Sequence, residues 1–211
     1  MNLFAPKAIY NKTEDTFTVP TPGRMLVRDF RAPPPTSGPA NASADSSAGG
    51  THGISAFQWE KSLVYNQRTD EAVMTGDVQV AHESAGAASY QMYADQITAI
   101  MDPNSHPTSG PTTGPSTSAS HAAPPTGEDT MKVKRLIAQG QVHMVSQRLQ
   151  FTAAQAVYDP ETQIMTAHGS LREPAELLDE QGLSTGSFDE LVYNTKTDQV
   201  QIKEFQGNMR K

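Results

Sequence analysis

The chain contains no cysteine. Disulfide staples and thiolate-bound zinc are excluded, while a cysteine-free chain suits both the cytosol and an oxidising periplasm, so thiol usage decides nothing about compartment. No apolar run reaches the length of a membrane-spanning helix. Basic charge is scarce: 16 Lys and Arg against 23 Asp and Glu leave a net charge of −7. Nucleic acid requires clustered cations, and the densest group, Lys132, Lys134 and Arg135, reads as the solvated start of a strand. No nucleic-acid partner is expected.

Catalytic and metal-binding patterns are equally thin. The histidines are His52, His82, His106, His121, His143 and His168, and no two stand four apart as on a zinc-binding helix. His143 and His168 could meet across strands, but a solvated or rim position is the favoured reading. Asp77, Asp95, Asp189 and Glu190 are scattered, with nothing marking an acid/base couple. Residues 182–186 spell G-x-S-x-G around Ser184. That motif works on a strand-to-helix elbow with a later histidine, and no histidine follows His168. There is no phosphate-cradling loop. The expectation is a protein that is not an enzyme and holds no cofactor or metal.

What the chain does have is one phrase written four times. It centres on Tyr10, Tyr65, Tyr158 and Tyr193. Before each tyrosine stand Ala8-Ile9, Leu63-Val64, Ala156-Val157 or Leu191-Val192, and after it Asn11, Asn66, Asp159 or Asn194. Thr69, Thr162 and Thr197 recur at one offset. Seven and nine places on come Phe17/Val19, Ala72/Met74, Met165/Ala167 and Val200/Ile202. A β-branched run, an Asx-led turn and a period-two apolar segment describe a hairpin. The tyrosine rings are expected to pack at strand ends with their hydroxyls bonded near the rim. Repetition points to an architecture built by stacking.

The tyrosines are 55, 93 and 35 residues apart. Two stretches rich in Pro, Ser, Thr, Gly and Ala explain the uneven spacing, 32–53 and 102–129; neither buries enough apolar surface to offset the entropy of ordering it. Subtracting them leaves intervals near one unit and two units, so both read as disordered surface insertions. The expected division is therefore the end of a preceding strand repeat at 1–31, a linker at 32–53, the first part of a β domain at 54–101, an insertion at 102–129 and the second part at 130–211. Residues 1–6 are too short for a signal peptide, and the first phrase is already under way at Ala8. The chain is expected to be the tail of a longer protein, with any export signal upstream.

Within the domain, Phe57, Trp59, Lys61, Leu63 and Tyr65 share one parity, and Val78 and Val80 come after an interruption at Gly76-Asp77. Tyr90, Met92 and Ala94 share another; 97–101 forms a further apolar run. Gly140 divides 133–145, and Gly169 stands where Gly76 stood. A glycine inside a strand pattern marks a bulge or bend. Residues 174–182 read either as a two-turn helix begun by Pro174 and stopped by Gly182 or as a strand ending in a turn at 180–182. The hairpin is favoured, because 184–193 needs a neighbour to pair with.

These pieces together resemble the OstA-like family of lipopolysaccharide-transport proteins, which includes a periplasmic bridge component and its membrane-tethered neighbour. The matching residues are Tyr65, Asn66, Thr69, Asp70, Ala72, Met74, Gly76, Asp77, Val78 and Val80, then Tyr93-Ala94-Asp95, then Ala138, Gln139, Gly140 and Val142. The likeness continues through 151–171 and closes on Gly186 and Glu190-Leu191-Val192-Tyr193. It implies an all-β fold, an antiparallel tandem-hairpin repeat forming an open, V-shaped β-jellyroll. It also implies a periplasmic or cell-envelope location, a lipopolysaccharide or related glycolipid as ligand, other jellyroll components joined by edge-strand addition, and a possible membrane tether outside this chain.

An acyl chain exposed to water costs about 0.8 kcal/mol per methylene, so a ~12-carbon chain costs about 10 kcal/mol. A jellyroll left unsealed shelters it along the apolar parity of each strand, with polar residues on the outer face. The expected groove residues are Leu63, Ala72, Met74, Val78, Val80, Met92, Val142, Met144, Phe151, Ala156, Met165, Ala167, Leu171, Leu191, Val200 and Ile202. Methionine suits a surface that accepts sliding chains. The rival reading is a structural or adhesive β-repeat stalk whose apolar parity only fills a closed core.

Overall fold

The structure, a computed structural model, describes residues 2–29, 53–84, 89–102, 133–170, 174–179 and 181–207. The two proline-rich stretches fall outside the described residues apart from Gly53 and Asp102, as does Leu171. Among the described residues there is no helix. The strands are β1 (Asn2–Phe4), β2 (Ile9–Asn11), β3 (Thr16–Val19), β4 (Gly23–Asp29), β5 (Gly53–Trp59), β6 (Ser62–Asn66), β7 (Glu71–Ser84), β8 (Tyr90–Met101), β9 (Val133–Ser146), β10 (Gln150–Asp159), β11 (Ile164–His168), β12 (Ala175–Leu178), β13 (Ser184–Phe188), β14 (Glu190–Asn194), β15 (Gln199–Lys203) and β16 (Gln206–Gly207).

All sixteen join one antiparallel sheet that does not close into a barrel. The pairing shows a simple plan. Ten ribbons run side by side, and each crosses from a first wall to a second. The first wall is β2-β3-β6-β7-β8-β9-β10-β11-β14-β15, and the second is β1-β4-β5-β7-β8-β9-β10-β12-β13-β16. β7, β8, β9 and β10 cross unbroken, while the other six ribbons break at the crossing. The result is the open jellyroll: a meander folded lengthwise along a crease.

The crease is where glycine was expected to interrupt the strands. Gly76 and Asp77 have φ of 80° and 42°, Gly140 and Gln141 have 72° and 46°. The ladders slip between Thr75 and Val78, Tyr93 and Gln96, and Ala153 and Gln155. A bulge bends its strand and re-aims the side chains beyond it. At Gly140 a side chain would strike Asp95, with an added Cβ 2.5 Å from its Oδ2. Ribbon three turns the same corner at Glu60-Lys61, so Lys61 does not continue the inward parity of its neighbours; it is exposed and lays its stem over Gly76.

The repeated phrase is a cross-strand ladder. Tyr10 opposes Phe17, Phe17 opposes Tyr65, and the same inward row runs through Ala72, Ala99 and Leu136 to Tyr158, Met165, Tyr193 and Val200. Every phrase therefore places its tyrosine at the same depth of the first wall. The Asx residue closes each turn as expected: Asn11 Oδ1 accepts from Thr13 N, Asn66 from Arg68 N, Asp159 from Glu161 N and Asn194 from Lys196 N, at 2.8–3.0 Å. Neighbouring turns are tied by a repeated bond, Gln67 N to Asp15 O and Thr195 N to Gln163 O, both 2.9 Å. The second proline-rich stretch connects β8 to β9 at this same rim, where a fifth turn would stand.

Residues 175–188 form the hairpin. β12 pairs with β13, and Asp179 Oδ1 caps the turn by accepting from Gln181 N and Leu183 N at 2.9 Å each. One expectation about the outer faces is corrected. The first wall's outside carries a β-branched row, Ile9, Thr18, Val64, Val73, Thr98, Ile137, Val157, Thr166 and Val192, rather than a purely polar one. Such residues fit a pleated surface and pair well across strands, which stabilises the sheet without full burial.

Candidate functional site

The two inner faces carry the site. On the first wall, Leu63, Met74, Ile97, Ala138, Ala156, Ala167, Leu191 and Ile202 are successive cross-strand partners. On the second wall, Met25, Phe57, Val80, Met92, Met144, Phe151 and Leu177 form an equivalent row. Most of these side chains belong to one hydrophobic cluster with Trp59, which is fully buried and donates its indole N–H to Thr21 O at 2.9 Å. Of the residues expected inward, Leu63, Ala72, Met74, Val78, Val80, Met92, Val142, Met144, Phe151, Ala156, Met165, Ala167 and Leu191 are buried. Ile202 is half-buried against the cluster. Val200 departs from the expectation. It opposes Tyr193 and so has the inward parity, but it is 38% exposed, because β15 is the last strand of its wall and no described residue covers it.

Parity alone misses part of this surface. Across the crease, β8 switches its inward set from Tyr90, Met92 and Ala94 to Ile97, Ala99 and Met101. β10 switches from Phe151 and Ala153 to Ala156 and Tyr158. A one-residue slip exchanges the faces of everything beyond it. Six of the nine methionines, Met25, Met74, Met92, Met101, Met144 and Met165, end up buried inside.

The rim opposite the crease holds the polar groups. Tyr193 donates to Asp198 Oδ1 at 2.8 Å, Tyr65 to Asp70 Oδ1 at 3.2 Å and Tyr10 to Asp15 Oδ1 at 3.5 Å. The sequence reading overlooked this partner, although it stands five places after the tyrosine in three phrases. All four residues at that offset, Asp15, Asp70, Gln163 and Asp198, take positive φ. Burial first and the neighbouring Asp70 second push the Tyr65 phenol up to about 12. Burial does the same to Tyr193, also to about 12, with Ser146 and Arg148 pulling down and Asp198 pushing up. Arg148 on the β9–β10 turn pairs with Asp198 at 3.1 Å and so links the two walls.

In the third phrase Gln163 replaces the aspartate, and Tyr158 reaches across the interior instead. Its ring meets Tyr90 of the second wall edge-on at 5.3 Å and His82 at 6.0 Å. His82 stacks on Tyr90 at 5.1 Å and shares a 2.9 Å hydrogen bond with Ser55 Oγ through Nδ1. Burial, then Tyr158, holds the Tyr90 phenol well above its ordinary range. These aromatic groups shut the mouth of the V at its middle.

Among the described residues, the histidines and the serine weighed as catalytic candidates do not come together. His143 lies against Tyr93 and Gln150 on the second wall, while His168 stands between Gln155 and Glu190 on the first, so the two do not meet. Ser184 is exposed on a hairpin strand rather than at an elbow. Among the described residues no three His, Asp or Glu gather as a metal site. An interior of aliphatic, thioether and phenol groups offers apolar contact and a few phenolic donors at its rim.

Comparison with known proteins adds a family match. The family model described as LptA/(LptD N-terminal domain) LPS transport protein matches residues 61–199, about two-thirds of the chain. The match runs from the corner before β6 to the first residue of β15. No curated protein matches the chain.

Proposed function

The chain belongs to the LptA/LptD N-terminal family of LPS transport proteins, and from that premise we propose that it is a non-enzymatic carrier of lipopolysaccharide or a related glycolipid in the cell envelope. The acyl chains lie between the two walls, against Met74, Val80, Met92, Met144, Phe151, Met165 and Leu191. The observation that carries this reading is the continuity of the apolar rows. The first-wall row crosses eight neighbouring ribbons and the second-wall row seven, neither with a charged residue, so a chain held along them stays sheltered from water. At about 0.8 kcal/mol per methylene, that shelter is the main thing a carrier must supply.

The end ribbons fit assembly with further jellyroll components. β1 and β2 at one end, β15 and β16 at the other, have a free edge among the described residues, and Val200 and Tyr10 continue the inward row to those edges. An added strand would satisfy the edge's backbone groups and roof these side chains together.

One observation favours the stalk instead: the inner side chains pack on each other, most of them fully buried. The carrier reading therefore requires the walls to part. Displacement of a fluorescent hydrophobic probe by purified lipopolysaccharide decides between them. The carrier binds the probe and releases it on titration with lipid; a stalk with a sealed core takes up neither.

A further inference from the structure

Tyr90 is the odd member of the rim. Its side chain is 2% exposed, it belongs to none of the four repeated phrases, and its hydroxyl has no hydrogen-bonding partner among the described residues. Tyr65 and Tyr193 each have a carboxylate acceptor. A buried donor left unpaired costs about 1–3 kcal/mol, and folded proteins seldom leave one. A phenylalanine would keep the stacking on His82 and the edge contact with Tyr158 without that cost. The hydroxyl is thus unexplained by the fold.

Its position supplies a use. Tyr90 points inward from the first residue of β8, at the outer end of the second wall, where an acyl chain lying in the interior would emerge. A hollow of about 310 Å³ opens beside it, bounded by Ala81 and Val145 together with His82, Glu83, Gln91 and Gln147. The phenol thus sits where the apolar interior gives way to a hollow that also carries polar groups, those of Glu83, Gln91 and Gln147 among them. An acylated glycolipid has the same boundary at one atom group, the carbonyl joining each chain to its sugar. We propose that Tyr90 is a polar anchor for the ligand: its hydroxyl donates a hydrogen bond to the ester or amide carbonyl at the root of an acyl chain. Lipid entry parts Tyr90 from Tyr158, and the phenol exchanges an aromatic neighbour for an acceptor.

This rests on the carrier reading, and the experiment separates the two. Binding of a synthetic ester-linked glycolipid is compared with its ether-linked twin, of equal chain length but without the carbonyl. The wild-type chain is expected to bind the ester about fivefold to tenfold more tightly, the worth of one neutral hydrogen bond. Tyr90→Phe binds both alike and melts no lower than wild type, while Tyr158→Phe keeps the preference. Equal affinities in the wild type, or a preference that survives Tyr90→Phe, overturn the anchor while leaving the carrier intact. Failure of the wild type to bind either lipid overturns both. Should Tyr90→Phe not fold, the wild-type preference and its retention in Tyr158→Phe decide.

Discussion

Asp198 and Asp15 make the same hydrogen bond in settings of different value. Asp198 accepts at 2.8 Å from Tyr193, which is fully buried, and also meets Arg148. Asp15 accepts at 3.5 Å from Tyr10, which is exposed. Asp198→Ala should therefore cost about 1–3 kcal/mol in urea unfolding, the penalty of orphaning a buried donor, whereas Asp15→Ala should fall within about 0.5 kcal/mol of wild type. Alkali gives an independent reading of the same rim. Tyr65 and Tyr193 are held neutral up to about 12, against an ordinary value of 10.0, by burial first. A group with a raised folded pKa contributes stability that is whole below its unfolded value and is lost as pH rises through the folded one. The melting temperature should fall between pH 10 and 12 as phenolate absorbance grows; a fall complete well below pH 10 would contradict the buried rim. At this scale the turn residues were legible, because Asn and Asp announce their own geometry. Asp15, Asp70 and Asp198 were legible too and overlooked, whereas Tyr90 carried no local signal: its significance lies in what it fails to touch.

At the scale of the strand, hairpins could be read from alternation and turn chemistry, and Gly76 and Gly140 from their place inside apolar runs. The crease they form could not. Two apolar runs separated by Asp95-Gln96 look like two strands, yet they are one strand that slips its register while passing from wall to wall. The slip put Ile97, Ala99 and Met101 in the interior on the parity opposite to Tyr90, Met92 and Ala94. The choice at 174–182 was settled by pairing: β12 is held between β10 and β13, which a helix there would leave unfilled. Gly140→Ala tests the crease. The left-handed backbone costs a residue with a side chain about 1–2 kcal/mol, and Asp95 stands in the way. The variant should lose at least that much stability, and Asp95→Ala combined with it should recover the steric part. Full stability in Gly140→Ala alone would show that the bend does not depend on glycine.

At the scale of the whole molecule, repetition is the property that joins sequence to function. Each phrase supplies two ribbons, each ribbon crosses both walls, and a new pair extends the apolar rows without altering those already laid. The order of the phrases was visible in the chain, and the rows continue unbroken from Ala99 of β8 to Leu136 of β9. How far the walls close could not be read, because that depends on contacts such as Tyr90 with Tyr158 between residues far apart in sequence. The central claim is that acyl chains occupy the space between the walls, and the methionines offer a direct reporter. Photoreactive methionine incorporated throughout the chain, irradiated with lipopolysaccharide and mapped by mass spectrometry, should place lipid adducts on Met74, Met92, Met144 and Met165, all of them buried and inward-facing. Adducts confined to Met1, Met131 and Met209, or none at all on folded protein at saturating lipid, would contradict the account.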